Sequence, residues 1–488
     1  MSITSQYLVL LSCCCLMSCL CSAQQAVVKP AAYYYPWHSN NFHNNEGYLR
    51  ETIGHQPKLG EYNDRNPEVI KQHMSWSQEA NIQVWITSWW GVGSLSDITM
   101  QSTVLPTIKG STLEFAILYE TLKFVGKDDV VVKKPQNIID SINHICDNFV
   151  QHPNYYHIDG RPVLVVYLTR RLERNGIFAE VILLMRTAAA KKGYNFFIVG
   201  DHTFGNAPRM NEQYSAFDYL DAVTNYDIYG SLGQFMYSSP DALANHYQQK
   251  QLQWKQAATN QNCAFIPGVT PGFNDRGVRL PVNHEPLSRK LGNETAEFGS
   301  FFEASLQHAI PLVDSKADSL MIITSFNEWH EDTQIEPAIG VTATGPFDYT
   351  KGLEYEGYDL RYLDILNEMT GGIPPTTARP TTAVPTTVNP TTAVPTTSLP
   401  THPTTANPTP AIIPTTSLPT QKNCIECTDV GNKWMQDQNA PCHPDHILIQ
   451  RKCNRNEIWK REKSCQYTCY ITGHGYVGDV CCLREESV

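Results

Sequence analysis

Residues 322–336 read Ile-Ile-Thr-Ser-Phe-Asn-Glu-Trp-His-Glu-Asp-Thr-Gln-Ile-Glu, and they carry the densest chemistry in the chain. An apolar run, Met321, Ile322 and Ile323, breaks into Asn327, Glu328, Trp329, His330 and Glu331. This reads as a buried strand that ends in ionisable and aromatic side chains. On a helical turn, carboxylates three residues apart share one side, with Cβ atoms roughly 5–6 Å apart. That separation suits two carboxyl groups working on one bond, as in glycoside hydrolysis. A helix N-terminus dressed with acidic side chains against its dipole has the same spacing. Spacing alone does not separate the two readings, so the surrounding elements must.

Short strand-like runs alternate with longer helix-like ones from residue 31 to residue 327. The strand candidates are 31–36, 83–90, 113–120, 162–169, 196–202, 222–229, 264–272 and 319–327. Runs such as Val163-Leu164-Val165-Val166 are apolar on successive residues, as strands covered on both faces require. Amphipathic stretches at 67–80, 136–151, 174–192 and 296–310 lie between them. Eight such alternations predict an α/β fold, a (β/α)8 TIM barrel. A doubly wound open sheet is the competing topology, but no Gly-rich phosphate turn follows the first strand.

In a barrel of this kind, reactive groups gather at the C-terminal strand ends. Those ends hold Tyr35, Trp37 and His38; Trp89 and Trp90; Tyr119 and Glu120; Asp201 and His202; Asn225 and Tyr226; then Asn327, Glu328 and Glu331. Aromatic faces stack on the C–H surfaces of sugars and carboxylates bind paired hydroxyls, so the collection suits a carbohydrate cleft.

The 488 residues are 41% hydrophobic and carry a formal charge of −11, enough for one large core plus appendages. The acidic balance argues against nucleic acid, which wants a basic footprint. Residues 1–23 have the form of a secretory signal, with an apolar stretch at 7–20 and Cys21-Ser22-Ala23 at the cleavage positions. Export is therefore expected, with no stable membrane insertion once the signal is removed; an uncleaved signal anchor holding the protein in a secretory lumen is the alternative. Ten of 15 cysteines remain after the signal: Cys146, Cys263 and eight between Cys424 and Cys482. Clustering of that kind in an exported chain reads as a disulfide framework, whose connectivity spacing leaves open. Asn293-Glu294-Thr295 is an N-glycosylation sequon.

Residues 373–420 collapse into Pro, Thr, Ala and Val. Lacking large side chains and many backbone donors, they should form an extended mucin-like linker. The expected organisation is a signal at 1–23, the barrel at 24–372, the linker at 373–420 and an eight-cysteine module at 421–488. Trp434, Trp459, Tyr467, Tyr470 and Tyr476 give that module either a sugar-binding face or its own small core.

Several motifs resemble the family 99 glycoside hydrolases, the endo-α-1,2-mannosidases. They are Tyr33-Tyr34-Tyr35-Pro36-Trp37; Leu59-Gly60-Glu61-Tyr62 with Asp64-Arg65-Asn66-Pro67-Glu68-Val69-Ile70; and Ser88-Trp89-Trp90. Further matches are His152-Pro153-Asn154-Tyr155-Tyr156 with Gly160-Arg161-Pro162, Ile266-Pro267-Gly268-Val269-Thr270-Pro271-Gly272, and the 325–336 block. The resemblance implies a retaining (β/α)8 enzyme needing no metal or cofactor, in which the substrate's own 2-hydroxyl attacks C1. By motif position, Glu328 is the base towards that hydroxyl and Glu331 the general acid/base. Glu120 matches a substrate-binding carboxylate, Trp90 a contact to the neighbouring sugar, and Asn225 with Tyr226 a substrate-facing strand end. The chain departs from the family pattern at 55–58, at Glu120-Thr121-Leu122 and at Asp332.

The sequence therefore predicts a secreted retaining endo-glycosidase acting on internal α-mannosidic or related bonds of an oligo- or polysaccharide. Glu328 and Glu331 are the expected catalytic pair. Tyr35, Trp37, Trp89, Trp90, Glu120, Asn225, Tyr226, Asn327, Trp329, His330 and Glu336 are expected to bind substrate. A same-fold hydrolase of another polysaccharide and a secreted non-catalytic glycan-binding protein are the alternatives.

Overall fold

The computed structural model describes residues 27–39, 42, 55–121, 135–203, 205–209, 213–226, 240–275, 286–291, 296–340 and 357–371, with short stretches between 426 and 484. The expected signal, the linker and the sequon lie outside the described residues. The chain separates into two compact units, Met1–Ala383 and Val384–Val488.

Eight parallel strands build the first unit: β1 (Lys29–Tyr34), β2 (Val84–Trp89), β3 (Glu114–Tyr119), β4 (Arg161–Val166), β5 (Phe197–Asp201), β6 (Ala222–Thr224), β7 in two segments (Ala264–Phe265 and Gly268–Val269) and β8 (Leu320–Ile323). Each overlaps one of the eight stretches expected from the sequence. Neighbours in sequence pair in parallel from β1 to β6, and β8 returns to pair with β1. The first segment of β7 pairs with β6 and the second with β8. Pro267 explains the split, because it has no N–H to place in a ladder. Its carbonyl still accepts the Ile322 N–H at 3.0 Å, while Ile266 donates to the Val223 carbonyl at 3.0 Å. The result is a TIM-barrel-like sheet.

Alternation along each strand sorts the side chains into two layers. Ala31, Tyr33, Val84, Ile86, Ala116, Leu118, Val163, Val165, Val199 and Ile322 form an inner cluster. Ala32, Tyr34, Trp85, Trp89, Phe115, Ile117, Leu164, Ile198, Met321 and Ile323 belong to the outer cluster, packed with residues of the surrounding helices. Strands buried on both faces account for their unbroken apolar runs.

Among the described residues, the α-helices of six residues or more are α1 (Pro67–Glu79), α2 (Pro135–Asn148), α3 (Thr169–Arg174), α4 (Phe178–Lys191), α5 (Pro240–Asn260), α6 (Ser300–Ala309) and α7 (Arg361–Thr370). Local chemistry sets their ends. In α1, the Asn66 side chain accepts the Glu68 N–H and Pro67 occupies the first turn, where its missing donor is not needed. Val69, Ile70, His73 and Trp76 then bury one face of that helix. Between β5 and β6 the described residues hold only the 3-10 turn Ser215–Asp218. The helix expected over 174–192 is α4, which begins only at Phe178; the short α3 ends at Arg174, and Gly176 between them takes a positive φ of 68°.

Cys146 and Cys263 are both buried free thiols. Among the described residues, no helix is long and apolar enough to cross a membrane. In the second unit, Glu426–Asp429 pairs antiparallel with Trp434–Asp437 and Asp479–Val480, and His446–Leu448 pairs with Cys482–Arg484. The pairing of its cysteines lies outside what is described.

Candidate active site

Extending the inner parity past the end of each strand collects one set of polar and aromatic groups. These are Tyr35 and Trp37 after β1, Ser88 and Trp90 at β2, Glu120 after β3, Tyr167 after β4, Asp201 ending β5, and Tyr226 after β6. The hydroxyl of Tyr33 donates to Asp201 Oδ2 at 2.5 Å. Asp201 Oδ1 accepts the N–H groups of Tyr226 at 2.7 Å and Thr203 at 3.0 Å. Despite these donors, burial pushes the Asp201 carboxyl up to about 6.

Glu328 and Glu331 come from the turn that follows β8. The expected helical turn is not formed. Residues 325–335 instead make a closed loop, in which Ser325 donates to the Thr333 carbonyl at 2.8 Å and Ile335 donates to the Ser325 carbonyl at 3.0 Å. Phe326 donates to the Tyr33 carbonyl at 2.8 Å, which moors the loop to β1. Asp332 takes a φ of 51°, a left-handed turn position that an Asp tolerates better than most side chains. The Glu328 backbone N–H donates to the Ser325 hydroxyl oxygen at 2.9 Å, and Glu328 Oε1 accepts the His330 N–H at 2.9 Å. Glu331 is partly exposed, and its Oε2 accepts from the Tyr226 hydroxyl at 2.9 Å. Tyr226 in turn accepts from the Tyr35 hydroxyl at 3.0 Å.

The Tyr35 and Tyr226 phenols are held far towards the neutral form, by burial first and then by the carboxylates around them. Glu328, Glu120 and Glu331 all act on Tyr35, and Glu331 and Glu328 both act on Tyr226. Of the two acids of the turn, Glu331 is hydrogen-bonded to this pair of hydroxyls. Glu120 is buried, accepts the Ser88 hydroxyl at Oε1 over 2.8 Å, and is pushed up to about 8 by burial. Trp37 packs near Tyr35 (4.6 Å between ring centres), Trp90 (6.1 Å) and His330 (6.0 Å), giving the mouth an aromatic wall.

Of the residues expected to bind substrate, the fold brings Tyr35, Trp37, Trp90, Glu120, Tyr226 and His330 to this mouth. Five others are placed elsewhere. Trp89 has the outer parity: its indole N–H donates to Asp97 Oδ1 at 2.8 Å and its ring packs on Tyr119 and His144 between sheet and helix. Asn225 shares the outward parity of Val223, and neither of its buried amide atoms has a hydrogen-bond partner among the described residues. Asn327 is consumed by the backbone of Tyr35, accepting its N–H at 2.8 Å and donating to its carbonyl at 3.0 Å. Trp329 is buried and donates to Glu336 Oε2 at 2.9 Å. Glu336 is itself enclosed, accepting from Tyr62 at 2.8 Å and facing His73 Nε2 at 3.2 Å. Asn327, Trp329 and Glu336 thus support the turn rather than line the mouth.

A second support stands behind the turn. The buried Arg289 donates to the carbonyls of Asp332 at 2.8 Å and Gln334 at 3.0 Å, and lies over the rings of Tyr358 (5.0 Å) and Tyr362 (5.1 Å). Arg289 carried no sequence signal; Tyr33 and Ser88 lay inside the motifs and Asp201 at a strand end without a role being given to them, and Tyr167 could have been found by counting alternate residues from the strand interior. Among the described residues, no group of three or more His, Cys, Asp or Glu side chains has the geometry to hold a metal ion.

Residues 29–367 match the model of the family described as glycosyl hydrolase family 99. A human protein named glycoprotein endo-alpha-1,2-mannosidase-like protein is 28% identical over 300 residues, covering 58% of this chain and 57% of its own length. Mouse glycoprotein endo-alpha-1,2-mannosidase is also 28% identical over 300 residues, covering 58% of this chain and 56% of its own. The chain thus spans less than two thirds of the length of these relatives. A solved structure described as a glycoside hydrolase-like protein aligns with a TM-score of 0.52 at 17% identity, over 70% of this chain and 94% of that one, a likeness of fold.

Proposed function

Because the chain belongs to glycosyl hydrolase family 99, we propose that it is a glycoside hydrolase acting on internal α-mannosidic bonds of a glycan. Glu328 and Glu331 do the chemistry. The observation that carries this reading is the hydrogen bond of Glu331 to the Tyr226 hydroxyl, itself bonded to Tyr35, with Glu328 in the same turn, at the C-terminal ends of the barrel strands.

The roles follow from what each acid touches. Glu328, nearly enclosed and accepting a backbone N–H, acts as the base that takes the proton of the sugar's 2-hydroxyl. That oxygen attacks C1 as the bond to the leaving oxygen breaks, and Glu331 delivers its proton to the leaving group. In the second half, Glu331 takes a proton from water, the water oxygen attacks C1, and the 2-oxygen recovers its proton from Glu328. Two inversions at C1 retain configuration. Tyr226 holds Glu331 through its hydroxyl. Trp37 and Trp90 offer faces on which neighbouring sugar rings rest.

Residues 1–23 direct export, and the 421–488 module, joined through the 373–420 linker, adds a second glycan contact. Glu328→Gln and Glu331→Gln each lower hydrolysis of an α-1,2-linked manno-oligosaccharide by orders of magnitude while leaving binding in place. Proton NMR of the first-released product reports the anomeric configuration. Full hydrolysis by either variant removes the assignment.

A further inference from the structure

Tyr167 stands just past the end of β4, on the inner side of the sheet. Half-buried, it packs on the inner cluster as Trp37 does, so the two rings cap the barrel interior. Its ring meets that of Tyr226 in a T, 5.4 Å between centres and 82° between planes, and Tyr226 carries the hydroxyl that holds Glu331. In a closed ring of eight strands the fourth lies across from the eighth. Tyr167 therefore stands across the mouth from the acid-bearing turn, with Tyr226 reaching both.

Side chains, not only backbone, hold this residue in place. Tyr119 pairs with Val166, and the register continued by one step sets Tyr167 beside Glu120. The Tyr167 N–H donates to the Tyr119 carbonyl at 3.1 Å. The next bond of a parallel ladder runs from the following residue of β3 to the Tyr167 carbonyl. The buried Thr121 hydroxyl makes that bond, at 2.6 Å. On the other flank, the Thr169 hydroxyl donates to the Asp201 carbonyl at 3.2 Å and ties the turn to β5. Between them Leu168 takes a φ of 58°, a conformation that a bulky side chain keeps only where its surroundings impose it. Thr121 lies in the Glu120-Thr121-Leu122 stretch, where the chain departs from the family pattern.

We propose that Thr121 is a positioning residue, whose hydroxyl fixes Tyr167 beside Glu120 so that ring and carboxyl together receive one sugar of the glycan. This deepens the glycan reading above and rests on it. A sugar presents an apolar C–H surface and a rim of hydroxyls, and an aromatic ring one strand away from a carboxyl meets both at once. Thr121 is buried and acts through its neighbour, not on the substrate.

Two measurements on the full chain test this. In the first, α-1,2-linked mannotriose is titrated calorimetrically into Glu328→Gln. Adding Thr121→Val keeps the side-chain shape, deletes the donor and should weaken binding about fivefold, as befits one hydrogen bond, while Thr121→Ser should stay within about twofold. Tyr167→Ala should weaken binding about tenfold. Because Thr121 acts through the ring, Thr121→Val placed on top of Tyr167→Ala should cost less than about twofold more. A threonine with only a structural role gives losses that add. Additive losses, or affinity unchanged in Thr121→Val or in Tyr167→Ala, overturn the proposal. If Thr121→Val does not fold, Tyr167→Ala still decides it.

Fluorine NMR of fluorotyrosine-labelled protein, with Tyr167 assigned by its absence from Tyr167→Phe, needs no glycan. The Tyr167 signal should stay in place in Thr121→Ser and move in Thr121→Val. A signal that Thr121→Val leaves in place overturns the tie. Failure of mannotriose to bind Glu328→Gln at all overturns the glycan reading instead, and leaves Thr121 to be judged by the fluorine signal.

Discussion

The hydroxyl of Tyr226 donates to Glu331 Oε2 at 2.9 Å while accepting from Tyr35 at 3.0 Å, so one tyrosine from the sixth strand end sets the direction of an acid from the turn after the eighth. Buried phenols held in the neutral form keep their proton near pH 7 and so remain able to donate it. Tyr226→Phe keeps the ring packing on Tyr33 and Tyr167 and deletes the donor. A misdirected acid/base loses much of its advantage, about 10²–10⁴-fold when lost outright. Steady-state kinetics on a manno-oligosaccharide should show kcat falling at least tenfold, with KM within about threefold of wild type.

Asn327 and Trp37 should separate cleanly. Asn327 pins Tyr35 through both backbone groups, so Asn327→Ala strands a buried donor and acceptor at a cost of about 1–3 kcal/mol. Thermal unfolding should register that loss. Trp37→Ala, at the mouth, should raise KM and leave the melting temperature closer to wild type. A glycan contact by Asn327 predicts the opposite ordering.

Arg289 is the buried cation behind the turn, bonded to the Asp332 and Gln334 carbonyls. Removing one partner from a buried ion pair costs about 3–5 kcal/mol, because the other charge is left uncompensated. Arg289→Met should therefore lower the unfolding temperature markedly and reduce kcat, since the loop carrying Glu331 loses its brace. Adding Asp332→Asn should recover part of the stability. No recovery in the double variant would remove Asp332 as the partner.

The Glu120 carboxyl rises on folding from an ordinary 4.5 to about 8. A raised acid binds more protons folded than unfolded between those values, so its contribution is complete below about pH 4.5 and is lost as pH climbs through 8. At about 1.4 kcal/mol per unit, the change amounts to a few kcal/mol. Glu120→Gln cannot ionise. Its melting temperature relative to wild type should therefore improve steadily from pH 5 to pH 9. A constant difference across that range argues against a buried neutral Glu120.

Much of the architecture was legible along the chain because doubly covered strands must be apolar on consecutive residues. Runs such as Val163-Leu164-Val165-Val166 can hardly sit anywhere else. The handover from Ile322 and Ile323 to Glu328 and Glu331 likewise marked the turn after the last strand as the candidate site. Composition and motif placed the acids, the aromatic wall of Trp37 and Trp90, and Glu120 at a single rim.

What remained was a matter of facing. Adjacent residues such as Trp89 and Trp90 differ by one step of a pleat, which sends one outward to Asp97 and leaves the other bonded to Ser88. Closure of the sheet decides which parity is inside, and closure depends on hydrogen bonds between strands far apart in the chain. The turn after β8 shows the same limit. Asn327 and Glu336 are chemically as apt for sugar as Glu328, yet contacts from Tyr35, Tyr62 and His73, more than 260 positions away, consume them, and Trp329 is spent on Glu336 in turn. Residue types and order made the proposed reaction nameable; only long-range packing could choose which polar groups brace the loop and which are left facing the cleft.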